Sequence, residues 1–329
     1  MVIVYPPTLD FGFMRQRPQQ LMLQFARHGH RVFFCERTQR PGHPPQEVAP
    51  NLLLVFDHDH FVREVLPREG KRLVWCSWAY LHDTLDQYRP DFVVFDCVDD
   101  FAEWYPYEGP MLKRADAVVV TSSALEQRLR PAHSRLAVIR NGCDFAFFNR
   151  RPAVMPPRDL PARRNLRAFF MGAWGPWVDS QLVAQAAKLL PHWDFILVGP
   201  QFGGHKVWGR NIYNLGMRMY EWLPAYLHNV DVCLIPFRDN DVTRAANPVK
   251  LWEYLAAGKP VVSTPLPEVS PLRHVVRIAS GPEFALEIPR ALADQHLEPY
   301  RIAAAKANSW EARYEEIQRF VPELGEIAL

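Results

Sequence analysis

The chain has 329 residues, 48% of them apolar and 12% aromatic, which is enough for two ordinary domains and excludes a disordered or fibrous protein. A formal net charge of +2 without a basic tract excludes a nucleic-acid binder held by bulk charge. The longest apolar runs, such as "DFVVFDCV" and "DAVVV", fall far short of the roughly 20 residues that a helical membrane span needs.

From the start of the chain, "MVIVYPP" has neither a basic lead-in nor a long apolar stretch, so it is predicted to be a first strand and not a signal peptide. Further strands are predicted near 31–35, 52–56, 73–76, 92–95, 117–121 and 137–139, with helices over 18–28 and 123–130. Strands that alternate with helices imply right-handed βαβ units and a mostly parallel sheet. The proline- and arginine-rich run "RRPAVMPPRDLPARRN" at 150–165 is predicted to link two domains. The pattern then restarts: strands in "LRAFFMGAW", "DFILVGP", "NIYNLG" and "DVCLIPF", helices over 179–190 and in "MYEWLPAYLHNV", and a last helix near 310–321. The expectation is α/β, two tandem doubly wound domains, a layout that binds ligands outside the carboxyl ends of its strands. Five cysteines, at 35, 76, 97, 143 and 233, are odd in number and contain no CxxC; they read as reduced core thiols of a cytosolic protein.

The most informative stretch is "NPVKLWEYLAAGKPVV" at 247–262. It predicts a helix over 249–257, capped by Asn247, begun by Pro248 and closed by Gly258, then a strand. Lys250 falls in the first turn, where the helix dipole already supplies positive charge. A lysine there suits a strongly anionic ligand such as a diphosphate, or else lies along the surface. Glu253 shares its face and either pairs with Lys250 or accepts hydrogen bonds from a ribose diol.

Together with "DVCLIPF", the stretch "NPVKLWEYLAAGKPVVST" resembles the nucleotide-binding motif of GT-B-fold glycosyltransferases, in particular bacterial family 1 and family 4-like enzymes of surface-polysaccharide assembly. "RADAVVVTSSALEQRL…LAVIRNGCDFAFF" is similar to the segment that ends their first domain. "RPQQLMLQFARHGHRVFFCE", "FDCVDDF" and "NSWEARYEEI" resemble pieces of the subgroup with teichuronic-acid-type transferases.

That resemblance implies a GT-B fold, two tandem Rossmann-like domains facing across a cleft with a C-terminal helix returning toward the first. The implied division is an acceptor domain at 1–155, a nucleotide-sugar domain at 156–308 and the closing helix at 309–329. It implies a metal-independent hexosyltransferase with no cofactor, whose donor is a UDP- or GDP-sugar and whose acceptor is a glycan, a lipid-linked glycan or a small molecule. Lys250, with the helix start at Asn247 and Pro248, would neutralise the departing diphosphate, and Glu253 would hold the ribose. Gly172 would let backbone approach the phosphates, while Gly199 and Leu215 would line the base pocket. Two family features differ here: the position eight before Glu253 is Ala245 rather than glutamate, and "GAWGPWVDS" replaces a basic pair, with Arg238 or Arg244 as candidates to compensate. If the reaction inverts, a base for the acceptor is sought in "FDCVDD", where Asp96, Asp99 and Asp100 follow an apolar strand, and less directly at Asp10; otherwise one of the three caps the next helix and the others are solvated. Arg15 and Arg17 would meet an anionic acceptor or pair on the surface. Trp174, Trp177, Trp208 and Trp222 would pack in the core or stack on a base or sugar. No metal site is read into "DHDH" (57–60) or "HGH" (28–30). The expected place is the cytoplasm, or the inner face of the membrane by peripheral contact. The competing readings are a nucleotide-sugar epimerase of the same fold and a non-catalytic nucleotide-sugar-binding protein.

Overall fold

The computed structural model describes residues 1–66, 70–150 and 156–325. It divides into two units, one formed by Met1–Asn141 with the chain from Trp310 onward, the other by Gly142–Ser309.

The first unit is built on an eight-stranded sheet: β1 (Val2–Tyr5), β2 (Arg31–Cys35), β3 (Gln46–Ala49), β4 (Leu52–Val55), β5 (Arg72–Cys76), β6 (Phe92–Cys97), β7 (Ala117–Val120) and β8 (Leu136–Val138). Their spatial order is β3-β4-β2-β1-β5-β6-β7-β8. Every pairing except β3–β4 is parallel. β1 and β7 are buried along their whole length, as central parallel strands covered on both faces must be, and this is why they read as unbroken apolar runs. β3 escapes such a reading because it is an edge strand with side chains in solvent, closed by a turn in which Asn51 takes φ +66°. The helix Tyr105–Arg114 was also not expected, since it carries Pro106, Gly109 and Pro110. The closing helix Trp310–Phe320 packs within this unit: the Tyr314 ring stacks on His28 at 3.7 Å and its hydroxyl lies 3.2 Å from His30 Nε2. The "HGH" histidines therefore serve packing.

The second unit has six parallel strands: β9 (Leu166–Met171), β10 (Trp193–Val198), β11 (Ile212–Gly216), β12 (Val232–Ile235), β13 (Val261–Ser263) and β14 (Arg277–Ile278), in the order β11-β10-β9-β12-β13-β14. The chain leaves β9 on one side and returns on the other at β12, so the strand order reverses between these two. In the first unit the reversal lies between β1 and β5. Such reversals open a crevice at the carboxyl ends of the strands.

The changeover at Asn141–Gly142 corrects the boundary at 155/156. Residues 151–155 lie outside the described residues, but the segment before them already belongs to the second unit. Phe148 is buried in its core, the Asn149 side chain donates to Ala256 O at 2.8 Å, and Phe147 stacks on Tyr220 at 4.9 Å. These aromatic contacts place the segment, whereas proline and arginine content marks only where regular structure stops. All five cysteines are free and buried, as expected. Among the described residues no helix is long and apolar enough to cross a membrane, and no group of three or more His, Cys, Asp or Glu side chains could hold a metal ion. Asp57 of "DHDH" instead caps a short helical turn by accepting from His60 N at 3.0 Å.

Candidate functional site

The helix Val249–Ala256 is amphipathic, and it is tied to the end of β9 by Tyr254, whose buried hydroxyl accepts the Met171 N–H at 2.9 Å. This tether lays the first turn over the β9–β12 reversal. Lys250 reaches across it, its Nζ 5.3 Å from the centre of the Phe170 ring and 4.8 Å from that of Phe237. Two aromatic faces attract the cation, but among the described residues no hydrogen bond or ion pair satisfies it. Burial lowers its pKa to about 8, with Glu253 acting in the opposite direction.

The turn after β9 is shaped for that lysine. Gly172 has φ +123°, and a Cβ there would lie 2.9 Å from Lys250 Cε. Gly199, at φ +143° after β10, packs so tightly that a Cβ would fall 1.9 Å from Gly172 O. Both positions admit only glycine. Leu215, on the edge strand β11, is half-buried against the core.

Glu253, one turn along, is buried, and burial pushes its carboxyl up to about 8, with Lys250 opposing and Asp144 adding to the shift. Among the described residues neither oxygen has a hydrogen-bond or ion-pair partner. An acid so raised favours its protonated form in the fold, so stability should fall as pH rises from about 4.5 toward about 8. Glu253→Gln should remove that decline and raise the melting temperature at pH 8, which thermal unfolding of both proteins across pH 5–8 would read. An unchanged decline would mean that Glu253 is not the titrating group.

Asn247 differs from expectation. Pro248 is the N-cap and no side chain caps the helix. The buried Asn247 side chain turns instead to Glu268 Oε2, donating at 3.1 Å, and accepts from Trp252 Nε1 at 3.3 Å. The physical reason is competition: a buried amide is satisfied at both ends by Glu268 and Trp252, whereas capping would use only its oxygen. The first N–H groups of the helix are thereby left without a side-chain acceptor. Arg238 is exposed and donates to Val178 O at 3.3 Å. Arg244 is drawn to Asp239 and Asp241 at 2.7 and 3.2 Å on the surface, which removes it as a substitute for the missing basic pair. Ala245 is buried. Of the tryptophans, Trp174 is core, bonded to Ser180 Oγ, Trp177 is half-buried over Gly175, and Trp208 and Trp222 are exposed. Phe170, Phe237 and Tyr254 belong to this site although no sequence pattern singles them out: Phe170 lies near the end of β9, Phe237 just after β12 and Tyr254 on the helix itself.

In the first unit the three acids separate by environment: Asp96 lies within β6, and Asp99 and Asp100 follow it. Asp96 is fully buried and takes Arg17 Nε at 3.0 and 2.8 Å and Trp75 Nε1 at 3.0 Å. Arg17 also donates to Ile139 O and Asn141 Oδ1. Asp96 and Arg17 are thus a core ion pair, which corrects both their expected roles at the acceptor. Asp100 is held by Arg128 at 3.0 Å and by the Tyr105 hydroxyl at 3.0 Å. Asp99 is half-buried, and no partner holds its carboxyl among the described residues. Burial, then the Asp100 charge, pushes it up to about 6.

Comparison with known proteins adds three findings. Residues 167–295 match the family model described as glycosyl transferases group 1. A putative teichuronic acid biosynthesis glycosyltransferase of Bacillus subtilis is 24% identical over 269 residues, covering 71% of this chain and 67% of that protein. Among solved structures, the sucrose-phosphate synthase of Thermosynechococcus elongatus superposes with a TM-score of 0.73 at 17% identity over 98% of each chain. The Anabaena protein HepE in complex with UDP and glucose does so with 0.67 at 14% identity, over 98% of this chain and 99% of that one. At such identities these superpositions show the fold.

Proposed function

We propose that this chain, a GT-B-fold glycosyltransferase whose second unit carries a group 1 glycosyl transferase domain, moves a sugar from a nucleoside-diphosphate sugar to a glycan or lipid-linked acceptor in surface-polysaccharide assembly. The observation that carries the donor reading is Lys250: a cation over Gly172 at the strand-order reversal, unpaired among the described residues, beside a helix start with no side-chain cap. Such a cation meets the charge that grows on a diphosphate as its bond to the sugar breaks, and the helix N-terminus adds to it, so the proposal calls for no metal. In this reading Glu253 accepts from the ribose hydroxyls, and Gly199 and Leu215 border the base. On the acceptor side, Asp99 is the proton acceptor: of Asp96, Asp99 and Asp100 it is the one whose carboxyl has no partner among the described residues. The relative from Bacillus subtilis supports surface polysaccharide as the product class, and HepE, solved with UDP and glucose, supports a UDP-sugar ahead of a GDP-sugar. Free, buried cysteines fit a reducing cytoplasm, with contact at the inner membrane face required only if the acceptor is lipid-linked.

The test is thermal unfolding with UDP, GDP, dTDP, CDP, ADP and NAD in turn. A nucleotide at about 100 times its dissociation constant stabilises by about 2.7 kcal/mol, a shift of several degrees. UDP should stand out and lose its effect in Lys250→Met. A shift by NAD alone would overturn the reading.

A further inference from the structure

After β5 the chain makes a short helical turn, Ala79–Leu81, pinned by Ala79 and Leu81, which are both buried. Tyr80, between them, is thereby turned outward and is 50% exposed. Its ring stacks on that of Trp78, with centroids 5.1 Å and planes 29° apart, and meets Tyr107 edge to face at 4.9 Å. Tyr107 comes from the first turn of the helix Tyr105–Arg114, and the His82 ring lies along it at 6.3 Å. The Arg37 guanidinium lies over the Trp78 ring at 5.3 Å. Trp78, His82 and Tyr107 are half-buried, so the cluster is open to solvent.

The topology puts these rings where ligands bind. Arg37 follows β2 and Trp78 follows β5, strands that flank β1, so their contact spans the strand-order reversal of the first unit at its carboxyl end. Thr38, next to Arg37, is tied to the loop after β1: its N–H and hydroxyl donate to Asp10 at 2.7 and 2.6 Å, which spends that carboxylate on structure. On the other side the Tyr105 hydroxyl donates to Asp100 at 3.0 Å and joins the start of the Tyr107 helix to the loop that carries Asp99. The polar heads of the cluster are unspent. Among the described residues no hydrogen bond or ion pair engages the hydroxyls of Tyr80 and Tyr107, Trp78 Nε1, the His82 ring or the Arg37 guanidinium.

We infer that Trp78, Tyr80 and Tyr107 form a stacking platform for a pyranose ring of the acceptor, so that the acceptor is a glycan held through a sugar ring. This rests on the function proposed above and names the substrate class on its acceptor side. Solvent-open rings with a polar rim mark a binding surface, and this one is two-sided in the way a sugar is. The C–H groups on a pyranose face carry slight positive charge and settle on the negative face of an aromatic ring. The hydroxyls around its edge need donors and acceptors, which the phenols, indole, imidazole and guanidinium supply. A lipid chain would cover the rings and strand those polar heads without partners. A nucleotide would bring its phosphates toward the carboxylates of Asp99 and Asp100. A sugar on the platform is neutral, and it lies next to the loop of the proposed proton acceptor.

The experiment is saturation-transfer NMR on the full chain, without nucleotide. The probes are the methyl β-glycosides of glucose, galactose, mannose, N-acetylglucosamine and glucuronic acid, with uridine as the competing class. At least one glycoside should receive saturation, concentrated on the C–H groups of one ring face. Its dissociation constant should rise about fivefold to tenfold in Tyr80→Ala, the worth of one aromatic contact. Tyr80→Phe keeps the ring and should restore most of the binding. Tyr107→Leu, on a different element, gives a second variant with the same expected loss. No saturation on any of the five glycosides, or saturation that neither Tyr80→Ala nor Tyr107→Leu moves, would overturn the platform. Saturation of uridine alone, removed by Tyr80→Ala, would overturn its ligand class. Sugar transfer with an acceptor KM unchanged in Tyr80→Ala would overturn its role in the reaction. A wild type that binds the glycoside as expected but transfers no sugar from any nucleotide sugar would instead defeat the proposed function, and the platform would stand.

Discussion

Lys250→Met should lower turnover about 10²–10³-fold and leave the protein folded, at least as stable at pH 7 as the wild type. The first half follows from the role proposed for the cation, since loss of one preorganised charge aimed at a developing anion costs on that order. The second half follows from the burial of the amine. Burial pulls the Lys250 amine down to about 8, so its charged form is disfavoured in the fold. The sign is that of a depressed base: the unfolded chain binds the proton more tightly, and folding at pH 7 bears the difference. Methionine keeps an unbranched stem over Gly172 and against Phe170 and Phe237, and it drops the charge. Lys250→Arg should also fail, because the wider guanidinium must enter a space where even a methyl on Gly172 would come within 2.9 Å of the lysine. Turnover of a nucleotide sugar with thermal unfolding of the same preparations would measure both halves. Wild-type turnover in Lys250→Met would end the leaving-group role.

What was legible in the sequence, and what was not, follows from what each signal reports. The buried strands were legible because two covered faces demand apolar residues throughout. β3 was not, because an edge strand whose side chains face water has no such demand. Lys250 was legible from its clash with the helix dipole, and the structure adds the reason the clash is tolerated: two aromatic faces and a glycine that clears its path. Asn247 was misassigned because capping is a local rule, while Glu268 lies far enough along the chain for only the fold to bring it near; Trp252, on the helix itself, then takes the oxygen that a cap would have used. The domain boundary was displaced for a similar reason. A proline- and arginine-rich run marks where regular structure ends, but the unit to which a segment belongs is decided by what Phe147 and Phe148 pack on.

The acid cluster after β6 yields the sharpest contrast, because two neighbours with one chemistry should fail in opposite ways. Asp99→Asn should lower turnover about 10²–10⁴-fold, the range for loss of a positioned proton acceptor, while raising stability at pH 7. Its carboxyl is raised to about 6, so the ionised form costs the native state stability that is regained as pH falls, and asparagine removes the charge. The wild-type rate should decline below pH 6 as Asp99 takes up its proton, and the mutant's residual rate should lack that limb. Asp96→Asn should do the reverse. It strands the buried Arg17 guanidinium against a neutral amide, and breaking a buried pair from one side costs about 3–5 kcal/mol. Turnover per folded molecule should survive, because among the described residues the Asp96 carboxylate is spent on Arg17 and Trp75. Unfolding curves and pH–rate profiles of the two variants decide the matter. If Asp99→Asn is unstable and Asp96→Asn is inactive but stable, the assignment is inverted and the buried pair is the chemistry. The expected pattern, a gain of stability where activity is lost, is what an active-site charge held against its own preference should show.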